Sequence, residues 1–444
     1  MKSSAPASGA MFRLSAVALA LGLAGSAQLV LRAQQPPVFR SSVELIAVDV
    51  QVMDANGNPI GKLGPEAFDV SINGKRRRVV SAQFVKHANA TSTSQTRRGD
   101  AAMLAPAPGD APAASTARTV ILAVDEGSFA PGDIQAVAEA ARGFLKELGE
   151  DDMVGLYVYP TVTWIPPTTQ RAVLAARLNN LVGEKEVLRS YYNLAPHEIV
   201  DITAQSTNPN SFLTVARAGD IRTREGAAAL DPVLKIQARE CPGQENDLDC
   251  ASKIYAEGMT LATQLEREAQ MSMGGIESLL RVLGEMPGRK AVVLVSGGLL
   301  VSDRLDGRPD AGTIARAMGQ DAARANATIY TVHIDNAYPN PGLASKKGLG
   351  DMNFSRDRAM LGNWLEDFSR AAGGKRISVP VGGGEFAFDR VLKETSAYYL
   401  LGVEPSDVDR DGRPHELRVK VDRSDTTVRN RQWVVIPPTK QASR

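Results

Sequence analysis

The chain has 444 residues, with 51 Lys and Arg against 50 Asp and Glu, a formal charge of +1, 43% hydrophobic and 23% charged residues. That balance supplies no net basic field to recruit nucleic acid or an anionic membrane surface. The length suffices for two or three domains with real cores, and the composition is that of a globular protein, not a disordered or fibrous one.

Residues 1–33 read as an export signal. Lys2 and Arg13 supply the positive region, Leu14 to Leu23 an uncharged apolar run, and Ala24-Gly25-Ser26-Ala27 small residues suited to cleavage, with Ala33 a second candidate. The alternative is an uncleaved anchor, because Leu14 to Leu31 carries no charge and approaches the length of a bilayer span. Export places the protein in the periplasm or outside the cell. There Cys241 and Cys250, which enclose a polar loop, are expected to form a disulfide. A metal pair is the competing reading, and neither a CxxC spacing nor a nearby histidine supports it.

Residues 38–86 have the pattern of small antiparallel β structure. Val48, Val50 and Val52 alternate with Asp49 and Gln51, and Asn56-Gly57 follows as a turn. Phe68-Asp69-Val70-Ser71-Ile72 runs into Asn73-Gly74, a hairpin signal. The basic run Lys75 to Arg78 then reads as a solvated edge. Residues 88–117, rich in Ala, Ser, Thr and Pro, are expected to be a disordered linker.

From 118 to 380 strand and helix patterns alternate. Strands are expected at 119–125, 153–159, 291–296 and 328–334. Helices are expected from about Asp133 to Leu148 and over roughly 170–182, 258–285, 311–325 and 357–372. The first places Ile134, Val137, Ala141, Phe144 and Leu145 on one face, with Gly149 closing it. This rhythm predicts an α/β fold, a doubly wound, mostly parallel sheet with flanking antiparallel β segments. The span 183–257 breaks it and reads as an insertion. The C-terminal segment 381–438 returns to β character, with strands at 398–403, 417–421 and 428–435 and Asp411-Gly412 turning between the first two. The two β pieces are expected to pack together, with the α/β domain inserted between them.

These features resemble a von Willebrand factor A-type (VWA) domain, in particular the VWFA-related Acidobacterial domain proteins. The residues carrying the resemblance include Val48-Asp49-Val50-Gln51-Val52, Leu63 to Val70, Val120 to Asp125, Met286-Pro287-Gly288-Arg289-Lys290-Ala291, Ala327 to Val332 and Glu394-Thr395-Ser396-Ala397-Tyr398-Tyr399-Leu400-Leu401-Gly402. They are spread over about 40–438. The resemblance implies export and binding more than a reaction.

It also raises the question of a metal. Such domains often hold Mg²⁺ or Mn²⁺ through an Asp-x-Ser-x-Ser loop, a threonine and a further acid, since hard cations want oxygen ligands. Here Asp125 keeps the first position, but Gly127 and Phe129 stand where the serines belong, with Ser128 displaced by one. Thr168 is the candidate threonine, and no acid follows Ser296-Gly297-Gly298. The site reads as a degenerate MIDAS, with Asp125 capping the following helix or bonding loop amides. Asp407, Asp409 and Asp411 open like a calcium loop of EF-hand type, yet Arg418 stands where its bidentate Glu belongs, and a turn of solvated acids is the expectation.

Enzyme motifs fail on inspection. The Gly127 to Gly132 turn leads into Asp133 and Ile134 where a phosphate loop needs Lys and Ser or Thr, and Ser296 lacks the Gly-x-Ser-x-Gly frame. His333 ends a strand beside Asp335, which is expected to orient its imidazole. The expectation is therefore a non-enzymatic exported binding, adhesion or envelope scaffold protein. It would take a protein or peptide partner and need no small-molecule cofactor. The alternative is a hydrolase whose site no short motif exposes.

Overall fold

In the computed structural model the described residues are 44–87, 117–186, 189–204, 231–244, 247–310, 314–335, 351–380 and 384–438. The expected export signal, and the linker as far as residue 116, lie outside them.

Three strands come first: β1 (Ile46–Met53), β2 (Phe68–Ile72) and β3 (Lys75–Lys86). Then follow β4 (Thr119–Asp125), β5 (Met153–Tyr159), β6 (Thr163–Thr168), β7 (Lys290–Ser296), β8 (Ala327–Asp335) and β9 (Arg376–Pro380). The last strands are β10 (Ala397–Glu404), β11 (Pro414–Val421), β12 (Thr427–Arg429) and β13 (Trp433–Val435). The helices are α1 (Ile134–Glu147), α2 (Arg171–Leu178), α3 (Pro196–Ala204), α4 (Pro232–Glu240), α5 (Leu248–Gly284), α6 (Ile314–Arg324), α7 (Asp351–Ala371) and α8 (Gly384–Glu394). None in the described residues is long and apolar enough to cross a membrane.

The central sheet has the order β6-β5-β4-β7-β8-β9. Strands β5, β4, β7, β8 and β9 run parallel, and β6 alone is antiparallel, to β5. A parallel strand covered on both faces reads as a continuous apolar run, and Val120 to Val124 are each at most 1% exposed. Helices α1, α2 and α8 pack one face through Ile134, Val137, Phe144, Leu174 and Phe388. Helices α5, α6 and α7 pack the other through Ile276, Leu280, Met318, Trp364 and Phe368. Each such side chain contributes about 1.5–3 kcal/mol on burial. The α/β, doubly wound architecture is thus present. The order turns outward in both directions from β4, so the switch point falls at the end of that strand.

The second sheet is antiparallel, of order β12-β1-β10-β3-β2-β11-β13. Strands from the two ends of the chain interleave in it: β10 lies between β1 and β3. It meets the α/β layer at the amino-terminal ends of the parallel strands, where Tyr330 Oη donates to Gln51 Oε1 at 2.5 Å and Gln432 N to the Ala371 carbonyl at 3.0 Å.

Several expectations need correction. In the Lys75 to Arg78 run Lys75, Arg76 and Arg78 are solvated as expected, but β3 is an interior strand of its sheet and the Arg77 side chain turns in to pair with Asp409. Asp411-Gly412 does not join a hairpin, because β11 pairs with β2 and β13 and not with β10. The 381–438 segment opens with a helix, α8, which supplies apolar surface to the α/β core. The Asn73-Gly74 turn does form, with φ of 49° and 76°, the double positive values a tight hairpin needs.

The insertion is a helical cap. Helices α3 and α4 pack on the amino-terminal part of α5 and on Leu300 and Met360, with Cys241 and Cys250 joined by a disulfide at its margin. Arg356 of α7 ties the cap down, bonding Asp201 at 2.8 Å and Asp303 at 2.7 Å.

Candidate functional site

Asp125 ends β4 at the switch point and is 2% exposed. Its Oδ2 accepts a hydroxyl proton from Ser272 of α5 at 2.7 Å and from Ser296, the last residue of β7, at 3.1 Å. Ser128 donates to the Asp125 carbonyl at 2.7 Å and accepts from Gly297 N at 2.7 Å, while Ser296 Oγ accepts from Gly298 N at 3.1 Å. Three serines therefore knit the loop after β4 to the loop after β7 and to α5. The carboxylate does not cap the 3-10 turn Glu126–Ser128 that follows it, so the expected capping role gives way to long-range bonds.

Burial raises the Asp125 carboxyl to about 6, against the pull of the serine hydroxyls and of Lys185. Burial likewise pushes the neighbouring Tyr159 phenol well above its ordinary range, with the charge of Asp125 adding to the effect. The segment 181–186 lies over this corner: Val182 N donates to Glu126 Oε1 at 2.8 Å and Lys185 N to the Phe129 carbonyl at 2.9 Å. The result is a cavity of about 160 Å³ whose polar lining is Asp125, Ser128, Lys185, Glu268 and Ser272, with leucines from α5, the β7 loop and α7 as walls. Burial raises the Glu268 carboxyl and the charge of Lys185 opposes it. Glu268 Oε1 has no hydrogen-bond partner.

Thr168 is not at this site. It pairs with Val154, whereas Asp125 pairs with Tyr159, five residues further along β5 and about 17 Å away at the rise of a strand. The cause is local. The chain turns back at Pro160-Thr161-Val162, so β6 carries Thr168 down to the other end of the sheet, where its Oγ1 accepts from Gln170 N at 3.1 Å. A hexacoordinate Mg²⁺ or Mn²⁺ wants several convergent oxygen lone pairs. One carboxylate oxygen already taking two hydroxyl protons, with the threonine at the opposite edge, does not fit that demand.

The calcium-like loop also dissolves on folding. Asp409 is buried and forms a two-pronged pair with Arg77 at 2.7 and 2.8 Å. Asp411 accepts from His415 Nε2 at 2.9 Å and from Arg413 N at 2.8 Å. Asp407 begins the 3-10 turn Asp407–Asp409, which Ser406 and Asp409 close as a capping box. Asp409 and Asp411 are thus engaged by partners within the fold, and the three acids do not converge as ligands. Among the described residues no group of three or more His, Cys, Asp or Glu side chains is placed to hold a metal.

Asp125 and Ser296 end β4 and β7, and His333, two residues before the end of the neighbouring β8, is in register with Ser296. Ser296 donates its hydroxyl proton to Asp125 and not to His333. His333 is oriented by Arg376, whose Nη1 donates to Nδ1 at 3.0 Å, and not by Asp335, which pairs with Arg358. Burial, then Arg376, lowers the imidazole to about 4. Sequence reasoning missed Lys185, Glu268 and Ser272. The signal nearest to them was the Gly274-Gly275 pair inside a helical pattern, which marks a close backbone approach.

No protein-family profile matches this chain, and no curated protein matches it.

Proposed function

We propose that this is an exported, non-enzymatic binding protein, an adhesion or envelope scaffold protein, built on a VWA-like domain whose metal site is degenerate and which works without a cofactor. The strand order with its lone antiparallel strand β6, and an acid at the switch point, support the VWA-like reading. The observation that carries the binding function is the contrast at the carboxyl edge of the sheet. Its polar groups turn inward onto Asp125, while its loops and cap leave large apolar side chains in solvent: Val162 is 65% exposed, Tyr191 83% and Leu305 90%. Exposed apolar groups on loops held by a rigid scaffold favour a protein or peptide partner.

The test is site-specific photo-crosslinking in the native envelope from positions 162 and 305, with position 153, at the opposite end of β5, as control. A discrete adduct from 162 and 305 that is absent from 153, and lost on Leu305→Glu, is the expected result. Equal or absent crosslinking from all three positions refutes the proposal.

A further inference from the structure

A second cavity, about 340 Å³, opens at the other edge of the parallel sheet, between α6 and the antiparallel sheet. Asp49, Arg324, Asn326, Arg431 and Trp433 supply its polar lining. Its charges do not balance. Asp49 Oδ2 serves two guanidinium groups at once, Arg289 at 3.3 Å and Arg431 at 3.4 Å. Both separations exceed the roughly 2.7–2.9 Å of a direct charge-assisted bond. The three side chains are 12%, 15% and 13% exposed, in the order Asp49, Arg289, Arg431. Arg431 also bonds Asn326.

Behind them Lys290, 1% exposed, donates to the carbonyls of Leu283 and Met286 at 3.0 and 2.6 Å. Burial, then the charge of Arg431, lowers its ammonium to about 8, so it remains charged at neutral pH. Two guanidinium groups, Arg289 and Arg431, thus share one carboxylate beside the cavity, and Lys290 adds a further buried charge nearby. At the rim, Arg324 is half exposed and pairs with Asp321, and the Arg316 guanidinium lies 5.6 Å over the Trp433 ring. Trp433 Nε1 is buried without a hydrogen-bond partner. Buried charge without compensation is unfavourable, and a fixed guanidinium fork matches an oxyanion.

We propose that this cavity binds a small oxyanion, a carboxylate or a phosphate, held by Arg431 and Arg324 with the Trp433 indole N–H as a further donor. At about 30 Å³ per water the space corresponds to roughly ten waters, room for a small organic acid or phosphate and more than a bare ion needs. Bound there, the anion bridges Trp433 of β13, and Arg431 just before it, to Arg324 of α6, and so joins the two layers.

Trp433 is the natural reporter. Inorganic phosphate and succinate are titrated separately into the full chain at constant ionic strength, with chloride as reference, and emission and melting temperature are followed. The expected result is a saturable emission change and a raised melting temperature with one or both anions, the responding arm giving the ligand class. The emission change should vanish in Trp433→Phe, and affinity should fall about tenfold in Arg324→Gln. Arg431→Lys, which keeps the charge and loses the fork, should weaken binding as well. If that variant does not fold, Arg324→Gln decides alone. Responses to both anions no larger than to chloride, or binding unchanged in Arg324→Gln, overturn the proposal.

Discussion

Ser272 and Asp125, 147 positions apart, meet through a 2.7 Å hydrogen bond from the serine hydroxyl to the carboxylate Oδ2. The bond fastens the longest described helix to the carboxyl end of the central strand. It also defines the environment in which the acid titrates.

The Asp125 carboxyl stands at about 6 against an ordinary 3.8. An acid raised by folding holds its proton better in the folded than in the unfolded chain. Its favourable contribution is therefore complete below about pH 4 and is lost as the pH rises through about 6. The difference corresponds to roughly 3 kcal/mol. Asp125→Asn removes the charge and keeps a hydrogen-bond acceptor, so it should stabilise the fold by about 1–3 kcal/mol at pH 7–8. The two proteins should converge near pH 4. Urea unfolding across pH 4–8 checks this, and a variant less stable than the parent at pH 8 would contradict it.

Gly274 and Gly275 make a matched pair within α5. A Cβ on Gly274 meets nothing within 4 Å, whereas one on Gly275 runs into the ring of Tyr159. Gly274→Ala should therefore stabilise by about 0.5–1 kcal/mol, the helix-propensity difference. Gly275→Ala should instead destabilise by about 1–3 kcal/mol, the range for overpacking, by pushing the helix off the sheet. Denaturation midpoints of the two variants should move in opposite directions.

The Cys241–Cys250 disulfide closes a short loop at the edge of the cap. Replacing both cysteines with serine should lower stability by about 2–3 kcal/mol, since little chain is closed off by the bond. Dithiothreitol should depress the melting temperature of the parent protein and leave that of the double variant unmoved. A parent melt indifferent to reductant would show that the bond is not formed.

The parts legible beforehand are those whose information lies in neighbouring residues. Val120 to Val124 announces a buried strand, the spacing Ile134, Val137, Ala141, Phe144 an amphipathic helix, and Asn73-Gly74 a hairpin, because periodicity and backbone preference act over a few positions. Two cysteines without a CxxC spacing or a nearby histidine similarly left few alternatives. That the two terminal β segments pack together was also legible, since neither had enough strands to stand alone, whereas the place of β10 between β1 and β3 came only from the folded structure.

What depended on tertiary structure was the choice of partner for each polar group. Thr168 and Asp125 are separated because β6 folds back antiparallel. Asp409 meets Arg77 from 332 positions away, and Asp125 is satisfied by a serine on a helix whose register no local pattern reveals. Hydrogen-bond and charge partners are set by which surfaces the apolar faces bring together. Those faces can be read from the chain, but the register of their docking is a sum over many long-range contacts, and no short stretch of sequence contains it.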